Sequence, residues 1–215
     1  MSIPRVLAAV LSLAVAALAP VRAQAPLDEG KLDPAWFGGA LEFREAEEID
    51  YLWVKPGFTL EGRKLRFAPW QEAELRGEKA AERDTKDKRL ANDLTRNLPE
   101  IFAEAFGNGL GARVPLVEAG EEITAVGRVV DCSTGSAAAK FWVGMGAGSG
   151  STTFDLKFVD AASGELVAAL HHRVVSGSSL STTDSKLIDW VDEFAEAVGK
   201  EGLDRLYARG KRVKE

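Results

Sequence analysis

The chain of 215 residues has a single cysteine, Cys132, and only two histidines, His171 and His172. One thiol closes no disulfide within the chain, so the hydrophobic core must stabilise the fold. A lone thiol in an oxidising compartment is either buried or offered to a partner, and burial is the commoner fate of free cysteine. No Cys-x-x-Cys pair is present, and neighbouring histidines on a strand point to opposite faces and do not share one ion. Neither a metal nor a cofactor is expected. The chain also lacks the Gly-x-Ser-x-Gly elbow of serine hydrolases and the Gly-Lys-Ser/Thr of a phosphate loop. Thr183-Asp-Ser-Lys186 has the Ser-x-x-Lys spacing, but Thr stands where those acyl enzymes use Ser. No catalytic residue is assigned, and the chain is read as no enzyme.

Long hydrophobic runs are missing too. The longest, Val6 to Ala19, is shorter than the roughly 20 residues that span a bilayer. It follows Met1–Arg5 and precedes Val21-Arg22-Ala23. A basic start, an apolar centre and a small-residue exit form a secretory signal peptide over residues 1–23, cleaved after Ala23. A periplasmic or secreted location is the expectation, with no stable membrane anchor. Removing Arg5 and Arg22 with that segment takes the formal charge from −6 to −8. So acidic a chain repels nucleic acid, and the short tail Arg209–Lys214 reads as a solvated end.

Several elements are legible in what remains. Residues 24–48 hold Pro26, Pro34 and a Gly pair among Leu32, Trp36 and Phe37, an extended lead-in with aromatics to dock. Ile49–Val54 and Lys64–Trp70 read as strands. The mixed charges from Gln71 onward, then Leu90, Leu94, Leu98, Ile101, Phe102, Ala105 and Phe106 at steps of three and four, predict a helix over Gln71–Phe106. Pro99 should kink it or start a second helix, and Gly107, Gly109 and Gly111 should end it. The period then switches to two. Strands are expected at Val114–Val117, Ile123–Asp131, Ala137–Val143, Thr152–Val159 and Glu165–Val175. In the fourth, Phe154, Leu156 and Phe158 face inward, with Thr153, Asp155 and Lys157 outward. Asp160–Gly164 is a hairpin turn in which Gly164 supplies positive φ. Ser181 and Asp184 suggest a cap for a closing helix that carries Leu187, Trp190, Val191, Phe194 and Val198, weakened at Gly199 and Gly202. The sum is α+β: an antiparallel meander sheet with two amphipathic helices packed on one face. Residues 49–207 form one domain and 208–215 a basic tail.

Two segments remain for function. Gly144, Gly146, Gly148 and Gly150 are spaced by two, whereas a dinucleotide fingerprint needs a third Gly three residues after the second, where Ser149 stands. They read as a hairpin or bulged strand with little side-chain bulk, open to close approach by a partner backbone. With Ser178 and Ser179 of the polar loop Ser176–Thr183 they form the candidate partner contact. Alternatives are a small-molecule or glycan module using Trp36, Trp53, Trp70, Trp142 and Trp190, and a hydrolase built from Ser178 or Ser179, one histidine and an aspartate.

The order of features is similar to a known family. A β-run and a long amphipathic helix lead to the strand Ile-Thr-Ala-Val-Gly-Arg-Val-Val (Ile123–Val130). The glycine piece Val143–Gly150, the strand Phe-Asp-Leu-Lys-Phe-Val-Asp (Phe154–Asp160) and the turn Ala-Ser-Gly-Glu (Ala162–Glu165) follow. Over Ile49 to Leu203 this resembles the bacterial envelope family catalogued as domain of unknown function 4410. Members are often lipoproteins, but this chain lacks a lipidation cysteine. The family has no established activity and supplies no catalytic residues. The element order also resembles envelope accessory domains: the curli secretion protein type, the amino-terminal domain of the Tol-Pal β-propeller protein and the lipoprotein activators of penicillin-binding proteins. Those bind protein partners, so the likeness implies a non-enzymatic accessory or assembly factor with an envelope protein as partner.

Overall fold

The computed structural model describes residues 32–39, 41–47, 49–77, 80–135, 150–175 and 183–213. Its strands are β1 (Arg44–Ala46), β2 (Ile49–Val54), β3 (Leu65–Phe67), β4 (Ile123–Ser133), β5 (Ser151–Asp160), β6 (Leu166–Val175) and β7 (Lys211–Arg212). They form one sheet in the order β3-β4-β5-β6-β2-β1-β7. β4, β5 and β6 are the expected antiparallel meander, held by the turn in which Asp160 accepts from Ala162 N and Ser163 N and Gly164 takes φ 72°. Two features depart from a simple meander. β2 pairs beside β6, and β3 lies at the opposite edge, parallel to β4. The chain therefore crosses the sheet between β2 and β3. The fold class is α+β with a mostly antiparallel sheet.

Three helices follow: α1 (Thr85–Leu110), α2 (Thr183–Glu201) and α3 (Leu203–Arg209). α1 does not begin at Gln71. Residues 71–76 are extended along β4, where Gln71 N donates to Gly127 O, Glu74 N to Val129 O and Arg76 N to Val130 O. A charge-rich stretch without an apolar stripe has nothing to hold it as a helix, and β4 offers it unpaired backbone groups instead. The helix starts where a cap exists. Asp84 accepts from Lys86 N and Asp87 N, and Asp87 accepts from Asp84 N. α1 then continues past Pro99 as one element, with Gly107 and Gly109 inside it, and ends at Gly111 with φ 58°.

Gly109 and Gly199 fix how α1 meets α2. A Cβ on Gly109 would lie 2.2 Å from Glu196 O, and one on Gly199 would lie 2.4 Å from Phe106 O. Gly199 is thus a contact point within α2, and Gly202 (φ 87°) makes the break before α3. Arg113 joins the crossing by donating to the carbonyls of Leu110, Gly109, Gly199 and Lys200. All three helices cover one face of the sheet. The core there joins Leu98, Phe102 and Phe106 of α1, Leu187, Val191 and Phe194 of α2 and Leu206 of α3 to Phe154, Leu156, Phe158, Leu170 and Leu52 of the sheet. Cys132 is buried in it.

Two smaller expectations are corrected. Val114–Val117 is no strand; only Leu116 bridges to Leu65. The lead-in does dock its aromatics: Phe37 and Phe43 are buried against Ala169 with Trp36, Tyr51, Trp53 and Leu166 around them. The tail is not all solvated end, because Lys211 and Arg212 pair with Glu45 and Arg44 at the sheet edge. Residues 1–23, the strand expected at Ala137–Val143 and the cap at Ser181 lie outside the described residues.

Candidate functional site

The hairpin between β5 and β6 sets the register Asp155↔His171, and β4 brings Arg128 opposite Asp155 from the other side. Period two places all three on the face away from the helices. That face was expected to look outward. Instead Asp155, His171 and Arg128 are at most 2% exposed. Residues 32–43 run over them as a strap, joined by Gln71 and Glu74 from the extended segment beside β4.

The side chains interlock. Asp155 Oδ1 lies 2.6 Å from His171 Nδ1, and its Oδ2 accepts from Arg128 Nε at 2.9 Å. Arg128 also donates to Glu74 at 2.6 Å and to Asp33 at 3.2 Å. Arg76 reaches Glu74 and Asp33 in turn. The Trp36 ring lies over both Arg128, at 4.5 Å, and Lys157, at 4.3 Å, while its Nε1 donates to Gln71. Burial opposes the charge of Asp33, but its hydrogen bond to Arg128 and the charges of Arg76 and Arg128 outweigh that and hold its carboxyl below the usual range. Burial, then the charge of Arg128, depresses Lys157. Burial, then the charges of Asp50 and Glu45, raises Tyr51, whose ring meets His171 edge-on.

The arrangement resembles the orienting half of a catalytic triad, a carboxylate holding a histidine by Nδ1. No hydroxyl is hydrogen-bonded to His171 among the described residues, and Ser178 and Ser179 lie outside them. His172 faces the other way. It stacks on Phe194 at 4.1 Å and lies 3.0 Å from Asp50. His171 is buried, and His172 is partly buried. Among the described residues no group of three or more His, Cys, Asp or Glu could hold a metal ion.

Of the sequence candidates, Gly144, Gly146 and Gly148 also lie outside the described residues; Gly150 is buried at the start of β5. The structure does fix where both candidate segments attach. Ser133, Ser151 and Val175 sit side by side in register, so segments 136–149 and 176–182 leave from one end of the sheet. The tryptophans differ in availability. Trp70 is buried against Phe102 and Phe154, and Trp36, Trp53 and Trp190 are half-buried; Trp142 is outside the described residues. The charged cluster was hidden in the sequence by a bulge. From the turn at Asp160–Gly164 the pairing starts as Val159↔Leu166, and a shift between Phe158 and Val159 then sets Asp155 opposite His171 instead of Leu170.

The model of the family described as "Domain of unknown function (DUF4410)" matches residues 56–180. No curated protein matches the chain. Among solved structures, the PelC dodecamer from Paraburkholderia phytofirmans is similar at 13% identity, over 67% of this chain and 96% of that one, with a TM-score of 0.43. Protein XCC0632 from Xanthomonas campestris, of family DUF330, is similar at 13% identity, over 69% and 85%, with a TM-score of 0.41. The hypothetical protein CT253 from Chlamydia trachomatis is similar at 11% identity, over 64% and 95%, with a TM-score of 0.38.

Proposed function

Since the chain belongs to the DUF4410 family, whose description names no activity, we propose that it is an exported, non-enzymatic envelope domain that works by protein contact. The contact surface is the end of the sheet where β4, β5 and β6 terminate. One observation carries this reading: the register Ser133↔Ser151↔Val175, which anchors the glycine segment and the serine segment next to each other. Binding residues concentrate on connections held by rigid scaffolds. The export signal over residues 1–23 supports an envelope location. Sealing of the Asp155–His171 pair beneath the strap supports a structural role for it.

In-cell cross-linking of the tagged protein, followed by mass spectrometry, tests the reading. Capture of one reproducible envelope protein is expected, and deletion of residues 146–149 should abolish it without changing the thermal midpoint. Capture that survives the deletion removes that surface from the account.

A further inference from the structure

We propose that the Lys157 ammonium, walled by Trp36 and backed by Arg128, is the receiving group of a carboxylate-binding site on the strap-covered face. The site is separate from the sheet end discussed above and does not depend on it. Every other cation in the cluster is matched. Arg128 holds Asp155, Glu74 and Asp33, and Arg76 holds Asp33 and Glu74. Lys157 is not matched: half-buried on β5, its Nζ meets the Trp36 ring at 4.3 Å, and among the described residues no carboxylate lies in ion-pair range of it.

An ammonium withdrawn from water is compensated only in part by a ring face. The deficit shows in the depression of Lys157 by burial and by Arg128. A carboxylate oxygen brought to Nζ would remove it. The strap already shows how a carboxylate seats here. Asp33 rests 3.2 Å from Arg128 and 3.3 Å from Arg76, on the same guanidinium that Trp36 covers. The ligand class follows from the charges. Asp33, Glu74 and Asp155 share the cluster, so a dianion such as phosphate meets three repelling groups, whereas a monocarboxylate places one charge at the single unmatched cation. Trp36 suits a carboxylate carried on a flat or apolar body. A free acid and an acidic side chain of a peptide offer this chemistry equally.

The test is an NMR titration of the full chain, reading the Trp36 indole N–H, with benzoate, an end-capped Gly-Glu-Gly peptide and inorganic phosphate as probes. Benzoate should give a saturating shift. Lys157→Met should weaken it roughly tenfold or more, and Lys157→Arg should keep it. Saturation by the peptide at matching affinity assigns an acidic side chain as a ligand; saturation by benzoate alone assigns a free acid. A shift that never saturates, equal binding by Lys157→Met, or phosphate binding as tightly as benzoate overturns the proposal.

Discussion

Phe154 and Asp155 are neighbours on β5, and both are fully buried, yet they meet opposite chemistries. On one side of the sheet Phe154 packs with Trp70, Phe102 and Phe194 from the extended segment and two helices. On the other, Asp155 sits between Arg128 and His171 beneath a strap without regular structure. The helix side is held by apolar area, which is strong and non-directional. The strap side combines a smaller apolar cluster, Phe37 and Phe43 against Ala169, with directed ion pairs that cost desolvation and return position more than stability. Helices bring a long stripe to a sheet; a strap of a dozen residues brings a few rings, and charges join them in fixing where Asp33 and Trp36 lie.

The comparison breaks most visibly at Arg128. Arg128→Met leaves Asp155 charged and buried, which should cost roughly 3–5 kcal/mol in denaturant unfolding. The double variant Arg128→Met/Asp155→Asn should lose less than the single, because it leaves no uncompensated charge. A double variant as unstable as the single would mean that packing of the Arg128 stem, not charge, holds the strap.

The helix side should respond to volume instead. Gly109→Ala drives a Cβ into the Glu196 carbonyl of α2, an overpacking expected to cost about 1–3 kcal/mol. Gly107→Ala is the control. Its Cβ would meet only Leu116, whose exposed side chain can turn away, so its thermal midpoint should move less. Equal losses would show that the α1–α2 crossing is no more sensitive to an added methyl than the contact with Leu116.

What could be read from the sequence follows the same division. Ile49–Val54 was read to the residue and β4, β5 and β6 within a few, because their apolar spacing records the helix side directly, while the closing helix, read through to Tyr207, divides at Gly202 into α2 and α3. The strap side was misread because period two reports polarity, not exposure. Asp155 looked solvated since what covers it, Asp33 and Trp36, lies over a hundred residues away in an irregular segment. The start of α1 failed for a related reason. Between Gln71 and Arg76 the charges suggested a solvated helix face, while the backbone there pairs with β4 and the side chains of Glu74 and Arg76 complete the ion network. The close approach at Gly109 and Gly199 was also hidden, since a glycine within a helical pattern reads as a terminator until its neighbour is known.

The smallest expected effect sharpens the comparison by testing a charged contact on the apolar side. Asp50 lies 3.0 Å from His172 and accepts from Arg173 N at 2.8 Å. Burial opposes its charge, but the His172 ring beside it and the Arg173 N–H outweigh burial and hold the carboxyl below its usual 3.8. A group depressed in the folded state contributes stability above its unfolded value and loses it as pH falls through the folded one. Wild type should therefore be more stable than Asp50→Asn at neutral pH. The gap should close on acidification below about 3.8, measured as denaturant midpoints across the acid range. A gap that stays constant with pH would assign the loss to the shape of the Asp50 side chain, leaving the helix side dependent on packing alone.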